Sequence, residues 1–206
     1  MVIKKNHNIP LPITINGKTL EQVNQFRYLG CLIDCKLDPE IEIKARIAQA
    51  KSCFERLRPL LCDPHLDINI RLKLVKCYVW SVLTYGAETW TLKTTSLNKL
   101  EAFEMWTYRR VLKIPWTARI SNEEVLRRLG KERELLGTIK MRKTTYLGHL
   151  LRNDKYYIPQ LIIKGKLQGK RGIGRNIRNW TGLNFEELVR TAEDREDFAV
   201  VVANLQ

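Results

Sequence analysis

The chain has 206 residues, of which 44% are hydrophobic and 28% charged, a composition typical of a folded protein with one sizeable core or two small ones. Its longest apolar runs, such as Val79 to Leu83, are too short to cross a bilayer, and no apolar signal core follows the N-terminal lysines. These features exclude an integral membrane span and predict an intracellular protein.

The formal net charge of +14 is concentrated in the middle of the chain. Residues 105–178 carry 19 Lys/Arg against 5 Asp/Glu, whereas residues 1–104 carry 15 against 11 and residues 179–206 carry 2 against 6. Such a localised basic surface favours a polyanionic partner. The alternative is a solvated basic face on an ordinary protein.

The first elements along the chain are predicted to be two or three short strands between Ile13 and Asp34. Asn16-Gly17 is a strong hairpin signal, and the segment QFRYLGCLID at Gln25 to Asp34 mixes aromatic and β-favouring residues.

Two long helices are predicted next. Asp38 supplies an N-cap and Pro39 the first helical residue of a helix that runs to about Leu61. Asp67 caps a second helix, which is expected to be largely buried and to end near Gly86. Its main apolar stripe is predicted to consist of Ile70, Leu74, Tyr78 and Val82, widened by Leu72, Val75 and Val79.

The second half is predicted to be a small helical array. Helices are expected at residues 95–112, at 121–130 behind a capping box of Ser121 and Glu124, and at 135–150. Residues 158–164 are apolar and β-branched enough to predict a short strand. The glycine-rich basic segment at residues 169–180 predicts a flexible loop, and the acidic end at residues 185–205 predicts two short helices.

The sequence offers little for catalysis. It shows no closely spaced strand carboxylates of the kind that two-metal enzymes need, and the acids around Asp194 are more typical of helix caps. His7, His65 and His149 lack a neighbouring nucleophile. The five cysteines favour buried reduced thiols over disulfides or a zinc site. We therefore expect no cofactor and no catalytic residue in this chain.

Binding chemistry is better supported. Arginines and lysines interleaved with glycines suit a backbone that approaches phosphates closely, and an indole can stack on a base. The alternative is a disordered basic linker followed by a core tryptophan. The candidate phosphate contacts are Lys170, Arg171, Arg175 and Arg178, with Trp180 stacking or packing beneath them and Arg109 and Arg110 at the start of the basic block.

Several segments resemble the C-terminal region of endonuclease-reverse transcriptases from non-LTR (LINE-type) retrotransposons, especially the RTE-like group. The resemblance covers nearly the whole chain after about Ile13. The segments that carry it are QFRYLGCLID, KCYVWSVLTYGAETWTL at residues 76–92, YRRVLKIPWTARISNEEVLRR at 108–128, YLGHLLR at 146–152 and GKRGIGRNIRNWTG at 169–182.

The resemblance implies a mainly α protein with three parts. Residues 1–37 would end the palm with a short primer-grip-like β-hairpin, residues 38–92 would form a helical thumb, and residues 93–206 would form a basic helical C-terminal nucleic-acid-binding extension. In such a protein Arg27, Tyr28, Leu29 and Gly30 would lie near the primer. The faces of the predicted thumb helices would place Lys44, Lys51 and Lys73 along the minor-groove face of the duplex.

The resemblance also implies what this chain lacks. The paired palm aspartates and their Mg²⁺, the fingers and the endonuclease are expected outside it, and Asn176 stands where relatives usually have a proline. A decayed or domesticated fragment fits these departures. The implied partners are an RNA template, a DNA primer and a palm/fingers polypeptide, in nucleus and cytoplasm. The alternatives are a helical protein-interaction module and a polymerase whose palm another polypeptide supplies.

Overall fold

The computed structural model describes residues 13–36, 38–164 and 175–205. They form two compact units: the first contains the residues up to Gly86 together with Lys93–Ser96, and the second contains Ala87–Leu92 and the residues from Leu97 onward. The fold is mainly helical with two short antiparallel strand pairs near its start, as the sequence predicts.

Two hairpins open the first unit. Strand β1 (Thr14–Ile15) pairs with β2 (Lys18–Thr19), and β3 (Gln25–Tyr28) pairs with β4 (Cys31–Asp34). Both have two-residue turns with positive φ at both positions, 51° and 75° at Asn16-Gly17 and 46° and 82° at Leu29-Gly30. This is the pattern of a type I′ turn, whose twist matches that of the strands.

Helix α1 (Pro39–Leu61) has the predicted bounds. The Asp38 side chain accepts a hydrogen bond from the Glu40 backbone N–H, and Pro39 occupies the first helical position. Its buried face carries Ile43, Ala50, Phe54 and Leu61, together with the charged pair Glu42 and Arg46.

The second long helix is a composite of α2 (Ile68–Leu74), a π-helical turn (Val75–Trp80) and α3 (Ser81–Leu83). The predicted main stripe is wrong, because Ile70 and Tyr78 are 48% and 53% exposed. The buried stripe is Leu72, Val75, Val79 and Leu83. The π-helical turn at Val75–Trp80 departs from the α-helical spacing on which the predicted stripe rests.

In the second unit, helix α6 (Leu135–Arg152) is central and packs against the helices that follow it. Leu147 and Leu151 on α6 form a core with Leu188, Ala192 and Phe198. The helices are α4 (Thr94–Val111, whose first residues belong to the first unit), α5 (Asn122–Leu129), α6 (Leu135–Arg152), α7 (Tyr157–Ile163), α8 (Arg175–Thr181), α9 (Phe185–Glu193) and α10 (Arg195–Ala203), with 3-10 turns at Ala87–Thr89, Trp116–Ala118 and Asp154–Tyr156.

Two predictions for this half are wrong. Residues 157–163 form a helix and not a strand, because the Gln160 Nε2 donates to the carbonyls of Leu150 and Asn153 at 2.9 and 3.0 Å and so holds this segment against the end of α6. A lone strand would leave its backbone groups unpaired. Residues 175–181 of the predicted loop form α8, whereas residues 169–174 lie outside the described residues.

The predicted pair of C-terminal helices is confirmed by α9 and α10. Leu188, Phe198 and Leu205 are buried. Within the described residues, the structure contains no helix that is long and apolar enough to span a membrane.

Candidate nucleic-acid interface

Three side chains of the first unit form hydrogen bonds with the backbone of the β3–β4 hairpin in or near its turn. Arg46 donates to the Gly30 carbonyl, and the Tyr85 hydroxyl donates to the Leu29 carbonyl at 2.8 Å. Glu42 accepts from the Leu32 backbone N–H at 2.6 Å. The turn is therefore fastened to α1 and to the end of the composite helix through its backbone.

These fastening groups also contact one another. The Arg46 Nε lies 2.7 Å from Glu42 Oε1, and the Arg46 guanidinium stacks over the Tyr85 ring at 4.6 Å. Arg46 is only 6% exposed, so breaking its pair would leave a buried charge uncompensated. Glu42, Arg46 and Tyr85 are not among the site residues predicted from the sequence. The available signal was a Glu and an Arg four residues apart on the apolar stripe of α1.

Leu29 at the tip combines backbone strain with exposure. Its φ of 46° lies in the left-handed region, which costs a residue with a β-carbon about 1–2 kcal/mol, and its side chain is 75% exposed. The first hairpin has Asn16 at the equivalent turn position, a residue that tolerates this conformation. An exposed leucine in a strained position contributes little to packing, so its presence indicates a role at the surface.

The other predicted residues of the first unit lie at its surface. Arg27 and Tyr28 are exposed on β3 and project to opposite faces of the hairpin. Lys44 and Lys51 are exposed seven residues apart, hence on one face of α1, and Lys73 is exposed on α2. The four predicted hairpin residues are thus neighbours in the chain that do not share one face, and the lysines lie on two helices.

Phe26 and Tyr28 expose one face of the hairpin. They are 50% and 57% exposed, and Leu32 is half-buried. Because the two rings lie two residues apart on β3, they form one apolar surface on the same side of the strand.

Arg109 and Arg110 are engaged within the second unit. The Arg109 Nη2 donates to the Ile120 carbonyl at 2.7 Å and to Asn122 Oδ1 at 2.9 Å, which fixes the start of α5. The Arg110 guanidinium lies 5.0 Å from the Trp106 ring centroid. Both have structural contacts, and their nucleic-acid contacts stay a prediction.

The predicted basic loop is described only from its last residues. Arg178 is exposed on α8 and Trp180 is half-buried, while the Asn176 Nδ2 donates to the Leu92 carbonyl at 2.9 Å. The structure places α8 against α6. Lys170, Arg171 and the side chain of Arg175 lie outside the described residues.

A groove on the exposed face of α6 was not predicted. It has a volume of about 1010 Å³, and its walls include Arg142, Arg152 and Arg195 with the rings of Tyr146 and His149. Glu88 is the acidic residue at its wall. The signal in the sequence was the polar spacing along α6, but Arg195 comes from the acidic end of the chain, so only the fold reveals the cluster.

The groove's walls are fixed by buried contacts. The Arg152 Nη1 donates to the Ala192 carbonyl at 2.8 Å, and its guanidinium lies 5.8 Å from the Phe198 ring. Phe198 packs directly on Gly148, where a β-carbon would lie 2.4 Å from the ring. Glycine at position 148 thus permits the close approach of α10, which carries Arg195.

Lys143 anchors the opposite wall. Its Nζ donates to the carbonyls of Glu88 and Trp90 at 2.8 and 2.6 Å. Burial lowers the pKa of Lys143 to about 8, and the nearby Glu88 carboxylate opposes this shift. The ammonium therefore fixes the Ala87–Thr89 turn from within.

The start of α6 is capped by a buried carboxylate from α4. Glu104 Oε1 accepts from the backbone N–H groups of Glu134 and Leu135 at 2.8 and 3.0 Å and from the Tyr108 hydroxyl at 3.0 Å. Its Oε2 has no hydrogen-bond partner among the described residues. Burial raises the pKa of Glu104, and desolvation likewise raises the pKa of Tyr108.

The cysteines follow the prediction in part. Cys53 and Cys62 are buried free thiols, but Cys31 and Cys35 are half-buried and Cys77 is exposed. In the part of the chain that the structure describes, no group of His, Cys, Asp or Glu residues is arranged to hold a metal ion.

The fold and these surfaces define a mainly helical protein in two units, each with exposed basic or aromatic groups. Comparison with known proteins specifies its origin. A transposon-derived protein of Caenorhabditis elegans is 28% identical over 183 residues, which cover 86% of this chain and 64% of the worm protein.

The RNA-directed DNA polymerase from the mobile element jockey of Drosophila funebris is 25% identical over 114 residues, which cover 54% of this chain and 12% of the polymerase. The chain therefore spans less than two-thirds of either relative. No protein-family model and no solved structure matches it. The two similarities support a retrotransposon origin for this sequence.

Proposed function

We propose that this chain is a nucleic-acid-binding segment of a non-LTR retrotransposon reverse transcriptase, derived from the thumb and the C-terminal extension. In this proposal the β3–β4 hairpin approaches the primer, and α1 and α2 run beside the template–primer duplex. The proposal assigns polymerisation and its Mg²⁺ to a palm domain and not to the residues that the structure describes.

The observation that carries the proposal is the tip of the hairpin. Leu29 is held in a strained conformation and is 75% exposed. Tyr85 and Arg46 donate to the carbonyls of the two turn residues, Leu29 and Gly30. A rigid support beneath an exposed apolar tip is what a surface needs in order to position a bound partner. The similarity to a polymerase from a mobile element supports nucleic acid as that partner.

The helical part of the proposal rests on charge. Lys44, Lys51 and Lys73 are exposed, and lysines near a duplex replace condensed counterions on its phosphates. Removing the charge of one such lysine should lower the slope of log affinity against log salt by about 0.9 for a duplex.

The test is a fluorescence-anisotropy titration of an RNA–DNA primer–template. Changing Lys44, Lys51 and Lys73 together to Gln should weaken binding and reduce the salt slope by about 2.7. The matched control changes three other exposed cations of the same unit, Lys18, Arg56 and Lys93. Equal losses of affinity in both variants would mean that net charge alone acts, and the proposed duplex face would be wrong.

A second candidate is favoured by the exposed aromatic face of the hairpin. Phe26 and Tyr28 present apolar surface that a polypeptide could cover. In this version the chain docks on a separate palm/fingers polypeptide, or acts as a helical protein-interaction module in a domesticated remnant. Changing Phe26, which is not among the predicted primer contacts, to Ser should then abolish pull-down of a palm polypeptide while leaving nucleic-acid binding intact.

A further inference from the structure

We propose that the groove on α6 binds single-stranded nucleic acid, with Arg142, Arg152 and Arg195 contacting phosphates and Tyr146 stacking on an unpaired base. The inference rests on the proposed function in that it names a second class of ligand for the same protein. The groove residues all belong to the second unit. None of them is among the hairpin residues or the lysines proposed to contact the template–primer.

The charged side chains that line the groove are mainly positive. Three guanidinium groups and one carboxylate, Glu88, line the groove. Arginine presents a planar set of donors that matches phosphate oxygens. Because Arg152 is already held by the Ala192 carbonyl, its orientation is fixed before a ligand arrives, which reduces the entropy that binding must overcome.

The acids around Arg195 limit the charge without entering the groove. Asp194 is occupied as a cap, since its carboxylate accepts from the backbone N–H groups of Glu196 and Asp197 at 2.7 and 3.1 Å. Glu196 and Asp197 are exposed on the first turn of α10. These acids lower the positive potential around Arg195. A ligand bound there therefore needs contacts in addition to ion pairs with the arginines.

Two aromatic rings, those of Tyr146 and His149, line the groove. Tyr146 is 38% exposed in the groove, and His149 meets the Tyr156 ring edge-on with centroids 5.5 Å apart. A base stacks on such a ring only when its face is free, whereas a duplex presents phosphates and base edges. The combination of guanidiniums and an exposed ring in one groove therefore indicates an unpaired strand.

The size of the groove agrees with a short segment of strand. Its volume of about 1010 Å³ is at the upper end of the range for ligand pockets. An acidic peptide would satisfy the cations but would not present flat rings to Tyr146.

The test uses the full chain and a fluorescein-labelled eight-nucleotide single strand. Changing Arg142 and Arg195 to Gln should weaken binding and reduce the salt slope by about 1.4, at about 0.7 per phosphate contact on a single strand. The control variant R127Q/R128Q removes the same charge from α5, where both arginines pair with Glu124 outside the groove. Equal losses of affinity in the two variants would overturn the site.

The stacking contact is tested separately. Y146L should weaken single-strand binding about 5-fold or more, whereas Y146F, which keeps the ring, should bind as the wild type does. Unchanged binding by Y146L would refute the stacking. A poly-glutamate peptide that displaces the strand as well as unlabelled strand does would show instead that the groove takes acidic peptides.

The two proposals fail independently. The groove variants should leave primer–template duplex binding by the first unit within about 2-fold, and the Lys44, Lys51 and Lys73 variant should leave single-strand binding within the same limit. If the Lys44, Lys51 and Lys73 variant weakens duplex binding no more than its control does, the proposed function alone is refuted. If the groove variant weakens single-strand binding no more than its control does, this inference alone is refuted.

Discussion

Replacing Leu29 with Asn should stabilise the protein and at the same time weaken its binding to a primer–template. The gain comes from the turn, because Asn tolerates the positive φ of 46° that costs leucine about 1–2 kcal/mol. The leucine side chain is 75% exposed, so its removal sacrifices little packing. A net gain of about 1 kcal/mol corresponds to a rise of about 2–4 °C in the melting temperature of a chain of this size.

The decrease in affinity can be worked from the same exposure. Full burial of a leucine side chain contributes about 1.5–3 kcal/mol. If the exposed three-quarters of Leu29 is covered when nucleic acid binds, its removal costs about 1–2 kcal/mol, or about 5- to 30-fold in Kd.

Differential scanning fluorimetry and anisotropy titration measure the two effects on one preparation. The control is L29A, which keeps a β-carbon in the strained position and removes the apolar bulk, so it should lose affinity without gaining stability. An L29N variant that is more stable but binds as tightly as the wild type would refute the role of the tip. A less stable L29N variant would refute the strain argument.

Three further predictions concern the second unit. Because the pKa of Lys143 is about 8 in the folded chain and 10.5 for the unperturbed group, the free energy of unfolding should rise with pH between these values, and K143M should remove that rise in urea titrations across this range. Burial raises the pKa of Glu104, so the protonated carboxyl stabilises the fold at low pH and this stability is lost as pH rises. The free energy of unfolding of E104Q relative to that of the wild type should therefore increase from pH 4 to 7. A constant difference between the two proteins would contradict this prediction. Gly148→Ala, which in an open helix would add up to about 1 kcal/mol, should instead lower the melting temperature because its β-carbon meets the Phe198 ring, and F198L should partly restore it.

Local signals predicted the elements whose ends are set by neighbouring residues. Asp38 and Pro39 define the start of α1 in the sequence as in the structure, and Gly130 ends α5 with a φ of 60°. The capping box predicted for α5 is half correct: Ser121 accepts from the Glu124 N–H, but the Glu124 carboxylate binds Arg127 and Arg128 instead.

Tertiary contacts decided the elements that were predicted wrongly. The residues of α7 have β-branched side chains, yet hydrogen bonds from Gln160 to the end of α6 stabilise a helix. Likewise, two apolar stripes of the second long helix are both compatible with helical spacing, and packing against α1 selects the one that contains Val79. Sequence spacing alone cannot choose between them.

The candidate sites divide in the same way. The hairpin tip could be predicted, because Leu29 and Gly30 are neighbours in one recognisable segment. Its support could not, because Arg46 and Tyr85 are distant in sequence and resemble ordinary helix residues. The groove on α6 depends on Arg195 from α10 meeting α6, an approach that follows from the packing of Phe198 on Gly148.

This chain is expected to bind template–primer nucleic acid through specific contacts and not through net charge. The most direct measurement is an anisotropy titration of the wild-type chain against an RNA–DNA primer–template across salt concentrations, with heparin as competitor. The primer–template should bind more tightly than heparin per charge, with a salt slope of about 0.9 for each phosphate contacted. Equal competition by heparin at every salt concentration would contradict it.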